Sequence, residues 1–122
     1  MQRHRSVGRQ MAACGLAVLG AAGVAEARAA DYSGTWASNS RQCRMGQDRQ
    51  DAPLVLTRTR YDQHEAHCSF ASVRQIGTGV WRVDARCSVE GDRQRQSMTL
   101  TVRGDRLIVQ DGQGERRLTR CR

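Results

Sequence analysis

The stretch that most constrains the fold runs from about Tyr61 to Gly91 and has the pattern of one β-hairpin. Its two halves, HEAHCSFASVRQI and VWRVDARCSVE, flank Gly77-Thr78. Two-residue hairpin loops favour glycine because their backbone requires positive φ. A turn at Gly77-Thr78 places Cys68 directly opposite Cys87, within the reach of a disulfide. The same register predicts three further pairs: Phe70 with Ala85, Ser72 with Val83, and Arg74 with Trp81.

A second pattern supports the same kind of fold. Residues 97–103 alternate strictly between polar and apolar, which is typical of a half-buried strand. A turn at Gly104-Asp105 then places Val102 opposite Leu107, and Asp111–Gly114 forms a further turn. The sequence therefore predicts an all-β fold, a small antiparallel meander barrel of six to seven short strands. Its predicted core is Trp36, Leu54, Leu56, Phe70, Trp81, Val83, Ala85, Val89, Met98, Leu100, Val102, Leu107, Val109 and Leu118.

The remaining segments divide into short strands and polar connections. Ser33–Ala37 and Leu54–Thr57 are predicted strands, separated by a long polar loop over residues 38–52. Gly91–Arg95 is predicted to be a polar turn, and residues 115–121 form a last short strand. Helical periodicity is absent after residue 30, so an antiparallel meander is expected.

The first 29 residues have the order of a secretory signal peptide. The first ten residues contain Arg3, Arg5 and Arg9, and residues 11–25 are small or apolar without charge. Small residues permit cleavage after Ala29, which we prefer, or after Ala27. Met11–Cys14 resembles a lipoprotein box, but the apolar run follows Cys14, so Cys14 is expected to leave with the signal. The expected product is one domain, residues 30–122, in the periplasm or secreted.

Four cysteines remain after that cleavage: Cys43, Cys68, Cys87 and Cys121. An even number in a small exported chain indicates two disulfides. Four cysteines allow three pairings. The hairpin register favours Cys68–Cys87, which leaves Cys43–Cys121. A zinc site is disfavoured because no CxxC pair is present.

All twenty basic residues are arginine, and residues 30–122 keep 16 of them against 11 acids. This excess favours an acidic partner, such as an anionic polymer, lipid headgroups or an acidic protein face, although composition bias explains it equally well. Arg82, Asp84, Arg86 and Glu90 alternate with the apolar positions of their strand. Their mixed signs predict cross-strand ion pairs rather than an anion site.

The sequence predicts no catalytic, cofactor or metal residues. His64-Glu65-Ala66-His67 lacks the helical spacing of a zinc protease motif, and residues three apart on a strand point to opposite faces. No glycine-flanked nucleophilic serine accompanies the histidines. Gly77-Thr78-Gly79 is not followed by a helix, so it is not a phosphate loop. Few aromatics are left to stack on bases, so a nucleic-acid partner is not expected.

Tyr32-Ser33-Gly34-Thr35-Trp36 resembles the Gly-x-Trp opening of the calycins, the lipocalin and avidin group. The resemblance implies that Trp36 packs across the closed end of a barrel and that Arg120 or Arg117 covers it. The early Gly-Thr-Trp, the following cysteine and the late hairpin from Gly104 to Gly114 also resemble periplasmic protease inhibitors of the Inh type. The layout is similar, too, to uncharacterised exported proteins of alphaproteobacteria, which implies no function.

These observations predict an exported, monomeric binding module without catalysis or stable membrane insertion. Its partner is expected to be an envelope or secreted protein, and inhibition of a protease is the narrower hypothesis that the Inh-type resemblance implies. Two alternatives stay open: a barrel that holds a small apolar ligand, and a basic envelope protein that binds an anionic polymer. The residues predicted to matter structurally are the four cysteines and Trp36, Arg120, Gly77 and Gly104.

Overall fold

The computed structural model describes residues 32–122 together with Gly15, so the predicted signal segment otherwise lies outside the described residues. Eight strands form a closed barrel, in which each strand pairs antiparallel with its neighbour and the last pairs with the first. Their bounds are β1 Gly34–Ala37, β2 Leu54–Leu56, β3 Arg60–Gln63, β4 Ala66–Gly77, β5 Val80–Val89, β6 Asp92–Arg103, β7 Arg106–Asp111 and β8 Gly114–Arg120. The all-β antiparallel barrel is confirmed, with more strands than expected.

The additional strand is β3, which the sequence pattern does not separate from β4. The two strands meet at a turn formed by His64 and Glu65, and Gln63 pairs with Ala66 across it. This turn contains no glycine, and His64 adopts the positive φ, 53°, instead. Histidine tolerates this left-handed region better than most residues do. His64-Glu65 is therefore a tight turn between β3 and β4, and Ala66 and His67 are the first residues of β4.

The core gathers side chains from every strand of the barrel. Of the fourteen predicted core residues, eleven are buried, while Phe70, Val89 and Val102 lie at the margin and are partly buried. Tyr32 and Tyr61 are buried as well, which the sequence does not predict. The aromatic ring of Tyr32 packs edge-on against Trp81 at 5.2 Å between centroids, which extends the core at one end of the barrel.

Two disulfides link the chain, Cys68–Cys87 and Cys43–Cys121. Cys68 and Cys87 are directly opposed on β4 and β5, as the hairpin register predicts. Cys43 lies in a short 3₁₀ helix, Gln42–Arg44, within the long polar loop. Its bond to Cys121 therefore joins that loop to the end of the chain.

The register of the β4–β5 hairpin holds only as far as Phe70 and Ala85. A bulge follows between Phe70 and Ser72, after which Ser72 faces Asp84 and Arg74 faces Arg82 rather than Val83 and Trp81. One extra residue in a bulge moves every later pair by one position. The predicted pairs Ser72–Val83 and Arg74–Trp81 are therefore wrong for this physical reason.

The turn of this hairpin is Thr78-Gly79, and Gly77 pairs with Val80 as the last residue of β4. Gly79, not Gly77, has the positive φ, 68°. A Cβ at Gly79 would lie 2.6 Å from the Val102 carbonyl oxygen, so a side chain does not fit there. The role that the sequence assigns to Gly77 belongs to Gly79.

The β6–β7 and β7–β8 hairpins agree with the predicted turns. Gly104 has a φ of 58° in the β6–β7 turn, and Val102 faces Leu107 across it. Asp111 pairs with Gly114 around the β7–β8 turn.

The predicted polar turn at Gly91–Arg95 is wrong, because β6 already begins at Asp92. The polar residues of this segment face solvent on a strand rather than in a loop.

Trp36 of β1 is fully buried in the core of the barrel. The Arg120 guanidinium carbon lies 4.2 Å from the Trp36 ring centroid, and Arg120 Nη1 donates to the Ser33 carbonyl oxygen at 2.8 Å. A Cβ at Gly34 would lie 2.6 Å from Arg120 Nη1, so glycine is needed for this approach. Arg117 instead donates to Glu115 on the surface. No helix in the described part of the chain is long and apolar enough to cross a membrane.

Candidate functional site

The far end of β4 extends beyond its neighbour β3. Only Ala66–Ser69 of β4 pair with β3, whereas pairing with β5 continues to Gly77. Within residues 32–122, no strand pairs with the second edge of Ala71–Gly77. We call residues 71–84, the end of β4 with its turn and the opposed residues of β5, the hairpin arm.

The β4 side of the hairpin arm is exposed along its whole length, from Ala71 to Gly77. The exposed large hydrophobic residues of the described chain are both there, Val73 at 40% and Ile76 at 51% exposure. Val73 faces Val83, which is fully buried, yet Val73 itself remains open to solvent. The arm therefore places apolar side chains beside unpaired backbone groups.

The hairpin arm is held firmly to the barrel on its β5 side. β5 pairs with β6 over its full length, and the Val102 amide donates to the Gly79 carbonyl oxygen at 2.8 Å. The Cys68–Cys87 disulfide lies just before the arm begins. A strand edge presented in this way is preorganised, which lowers the entropic cost of binding.

The outer face of the arm does not contain the expected ion pairs. Asp84 accepts hydrogen bonds from the hydroxyls of Ser97 at 2.7 Å and Ser72 at 3.1 Å, while Arg82 faces Arg74. These hydrogen bonds, from Ser97 first and Ser72 second, hold the pKa of the Asp84 carboxyl below its ordinary value. The bulge before Ser72 is the cause, because it brings serine and arginine opposite the charged residues of β5.

A second surface lies towards the opposite end of the same strands. Arg60, Ser69, Arg86 and Arg95 are successive cross-strand neighbours from β3 to β6, and we call them the arginine row. They border a shallow depression of about 700 Å³. Glu90, which is predicted on the same face as Arg86, instead occupies the β5–β6 turn with a φ of 50°.

The two histidines of the His64–His67 stretch have separate partners. His64 Nδ1 lies 3.0 Å from the Gln47 carbonyl oxygen, and His67 Nδ1 lies 2.8 Å from Asp62 Oδ1. Asp62 also accepts from Arg60. Burial raises the pKa of the Asp62 carboxyl, but the bonds from Arg60 and His67 outweigh it, so the pKa lies below its ordinary value. The described residues contain no group of three or more side chains placed to hold a metal ion.

Sequence patterns identify the structural residues and miss both surfaces. Arg120 lies over the buried Trp36 ring, Gly104 has the positive φ of a turn and the four cysteines form two disulfides, whereas Gly77 does not have the predicted role. The sequence does not predict the hairpin arm, because Val73 and Ile76 are apolar residues in a stretch whose pattern indicates a paired strand. It does not predict the arginine row, because the members of the row come from four strands. Residues 92–97 are all polar, so hydrophobic alternation gives no signal of the strand that carries Arg93 and Arg95.

Comparison with protein-family models, with curated proteins and with solved structures finds no match to this chain. The resemblance to calycins and to Inh-type inhibitors therefore stays a prediction. The hairpin arm and the arginine row are the two surfaces whose geometry bears on function.

Proposed function

We propose that the protein is a non-catalytic binding module of an oxidising, exported compartment, and that its hairpin arm pairs with an extended segment of another protein. One observation carries this proposal: the unpaired edge of β4 and the exposed side chains of Val73 and Ile76 occur on the same seven residues, Ala71–Gly77. An open edge offers backbone N–H and C=O groups to an added strand, and alternate side chains supply specificity. The two disulfides fit the compartment.

The chemistry of the arm indicates the kind of segment that it would bind. Arg74 and Arg82 face each other on the outer side of the arm, whereas Val73 pairs with Val83 on the inner side. An added strand presents successive residues to opposite faces. The best partner segment therefore alternates acidic residues, next to Arg74, with apolar residues, next to Val73. Bulges limit regular pairing to a short length, so side-chain contacts contribute much of the affinity.

Protease inhibition is a narrower form of this proposal. An extended hairpin that occupies a substrate-binding cleft blocks access to it. The Inh-type resemblance supports protease inhibition as an activity, and the use of the hairpin arm for it rests on the open β4 edge alone. Its test is the titration of secreted and envelope proteases of the producing organism with the oxidised protein. Inhibition that saturates at one molecule per protease and is lost in Val73→Asp would support it, and full activity at excess protein would exclude it for those proteases.

A ligand-holding barrel is less favoured by the packing. Side chains from all eight strands meet in one buried cluster that includes Trp36, Tyr61 and Trp81. Small barrels of this kind fill their interior with their own side chains. The polymer-binding alternative has a specific observation in its favour, the arginine row, which is a different surface of the barrel from the hairpin arm.

The test of the main proposal is site-specific photo-crosslinking in cells that export the protein. A photoreactive residue replaces Gln75 on the hairpin arm, and in a matched control it replaces Gln110 on β7. Both glutamines are exposed, but β7 is paired on both of its edges. We expect a protein adduct from position 75 alone, lost when Val73→Asp is added, and mapped to a segment that alternates acidic and apolar residues.

Two results would contradict the proposal. One is an equal adduct from position 110, which would mean that the contact is not specific to the arm. The other is the absence of an adduct from position 75 when the exported protein accumulates in its oxidised form. The adduct should also form when the lysate is brought to high salt before irradiation, because exposed charge contacts are screened there and apolar and backbone contacts are not.

A further inference from the structure

The arginine row is a surface that the proposed function does not use. Arg60, Arg86 and Arg95 belong to it, and Arg93 lies beside it, two residues before Arg95 on β6. Together they line the depression of about 700 Å³, along with the serines Ser69 and Ser88. Among the described residues, no acidic side chain lines this depression.

Within residues 32–122, three of these arginines have no ion-pair partner. Arg60 donates to Asp62 at 3.0 Å, which neutralises it. For Arg86, Arg93 and Arg95, the described part of the chain provides neither a carboxylate within ion-pair distance nor a hydrogen-bond acceptor. Their positive charge is therefore presented to solvent from neighbouring positions.

The pairing of Arg86 with Arg95 is unfavourable for the sheet alone. The two residues are directly opposed on β5 and β6. Like charges directly opposite each other destabilise a strand pair. An anion held between two guanidinium groups removes this repulsion, and guanidinium forks match the oxygens of phosphate and sulfate groups. The hydroxyls of Ser69 and Ser88 are placed next to Arg86 as further donors.

The arrangement suits groups that are repeated along a chain. From Ser69 to Arg95 the exposed donors cross two strand spacings, which is about 10 Å, and Arg93 lies a further two residues, about 7 Å, along β6. One phosphate group bridges neighbouring strands and cannot extend along the whole row. A single charge pair at an exposed site contributes little to affinity, because water and salt screen it. Repeated groups on one polymer add such contributions and release several counterions together.

We propose that the face formed by Arg86, Arg93 and Arg95, with Ser69 and Ser88, binds a linear polymer that carries phosphate or sulfate groups. This function is separate from that of the hairpin arm, because the two surfaces lie towards opposite ends of the β4–β5–β6 sheet. Loss of one should therefore leave the other intact.

The test measures binding of the oxidised protein to long-chain inorganic polyphosphate and to heparin at about 0.15 M salt. The test variant is Arg86→Gln/Arg95→Gln. The control is Arg103→Gln/Arg106→Gln, which removes the same charge from another directly opposed arginine pair, at the β6–β7 turn. We expect affinity to fall about ten-fold or more in the first variant, with a salt slope reduced by about two, and to change less than about two-fold in the control.

Three results would overturn the inference. Unchanged affinity in Arg86→Gln/Arg95→Gln would exclude this face, and an equal loss in both variants would mean that net charge alone is responsible. Preferential binding to phosphatidylglycerol vesicles, with the same dependence on Arg86 and Arg95, would assign the face to lipid headgroups instead of a polymer. Val73→Asp should leave polyphosphate binding unchanged, so failure of this inference and failure of the proposed function are distinguishable.

Discussion

Among the strands that the structure describes, β4 and β6 each have a stretch of seven residues without a second neighbour, and the two stretches differ in chemistry. β4 lacks a second neighbour along Ala71–Gly77, and β6 lacks one along Asp92–Met98, among the strands that the structure describes. The β4 segment carries one charged residue, Arg74. The β6 segment carries three, Asp92, Arg93 and Arg95. The strand edge without a second neighbour therefore carries little charge on β4 and is highly charged on β6.

This contrast shows how a small barrel can keep one edge available and protect another. Charges on an edge strand oppose pairing with a second chain. The β6 edge is protected in this way, and its arginines also belong to the proposed polymer-binding face of Arg86, Arg93 and Arg95. The β4 edge instead relies on two bulges, so a partner with matching side chains can still pair between them. We expect protein contacts at β4 and anion contacts at β6.

The largest expected effect is the loss in free energy of unfolding when a disulfide is removed from the barrel that carries both edges. Cys43→Ala/Cys121→Ala removes a link across a sequence separation of 78 residues, and chain-entropy models predict a loss of about 4.5 kcal/mol. Cys68→Ala/Cys87→Ala removes a link across 19 residues and should cost about 3 kcal/mol. Urea unfolding measures both. A larger loss in the second variant would mean that the disulfide beside the arm stabilises the barrel by more than loop closure.

The next effect concerns the turn that supports the β4 edge. Gly79→Ala should cost about 1–3 kcal/mol, because φ at this residue is 68° and the new Cβ would meet the Val102 carbonyl oxygen. Gly77→Ala is the matched control, since a Cβ there makes only ordinary contacts with Val80 at 3.8 Å. It should stay within about 0.5 kcal/mol of the parent protein. Equal losses in thermal unfolding would place the turn at Gly77-Thr78 after all.

A smaller effect should appear when the charge difference between the edges is removed. Arg93→Thr/Arg95→Thr takes two of the three charges from the β6 edge and adds β-branched residues, so this edge should pair with other copies. Self-association in sedimentation velocity should strengthen about ten-fold, or about 1.4 kcal/mol. Arg82→Thr/Arg86→Thr on β5, which is paired on both sides, is the control. Equal association in both variants would show that edge charges are not the cause.

The smallest effect is a pH dependence at the outer face of the arm. Hydrogen bonds from Ser97 and Ser72 lower the pKa of Asp84 in the folded protein, so the unfolded chain binds this proton more readily. The stability that results is present above the ordinary aspartate pKa and is lost as the pH falls through the lowered value. Asp84→Asn and Ser97→Ala should both flatten the acid side of the stability profile. An unchanged profile in Asp84→Asn would contradict this cause.

Local patterns in the sequence predict much of the fold. Alternation places β6 and β7 in register, and the opposed cysteines place β4 and β5 in register as far as Phe70. The position of the bulge at Ala71 is not predictable, because an extra residue in one strand leaves no mark in composition. The available signal of a bulge is that the predicted register places Arg74 opposite the core residue Trp81. The strand β3 is missed because its turn uses His64 where glycine is expected.

Neither candidate surface could be predicted, because each depends on which strands are neighbours and where they end. That Arg60, Arg86 and Arg95 form one row follows from three registers at once, and an error of one residue in any of them would break the row. The exposure of Val73 depends on β3 pairing with β4 no further than Ser69, opposite Arg60. That limit belongs to a strand that the sequence pattern does not reveal.

Alternation, turn residues and cysteine spacing were enough to establish the class of fold, the disulfide between β4 and β5 and most of the core, because they act between residues that are close in the chain or related by one register. The tertiary structure alone decided where the strands lose their neighbours, how a bulge brings Arg74 opposite Arg82, and how Arg120 covers Trp36. These features depend on the closure of the barrel, in which the lengths and offsets of all eight strands are linked. The surfaces on which both proposals rest are products of that closure.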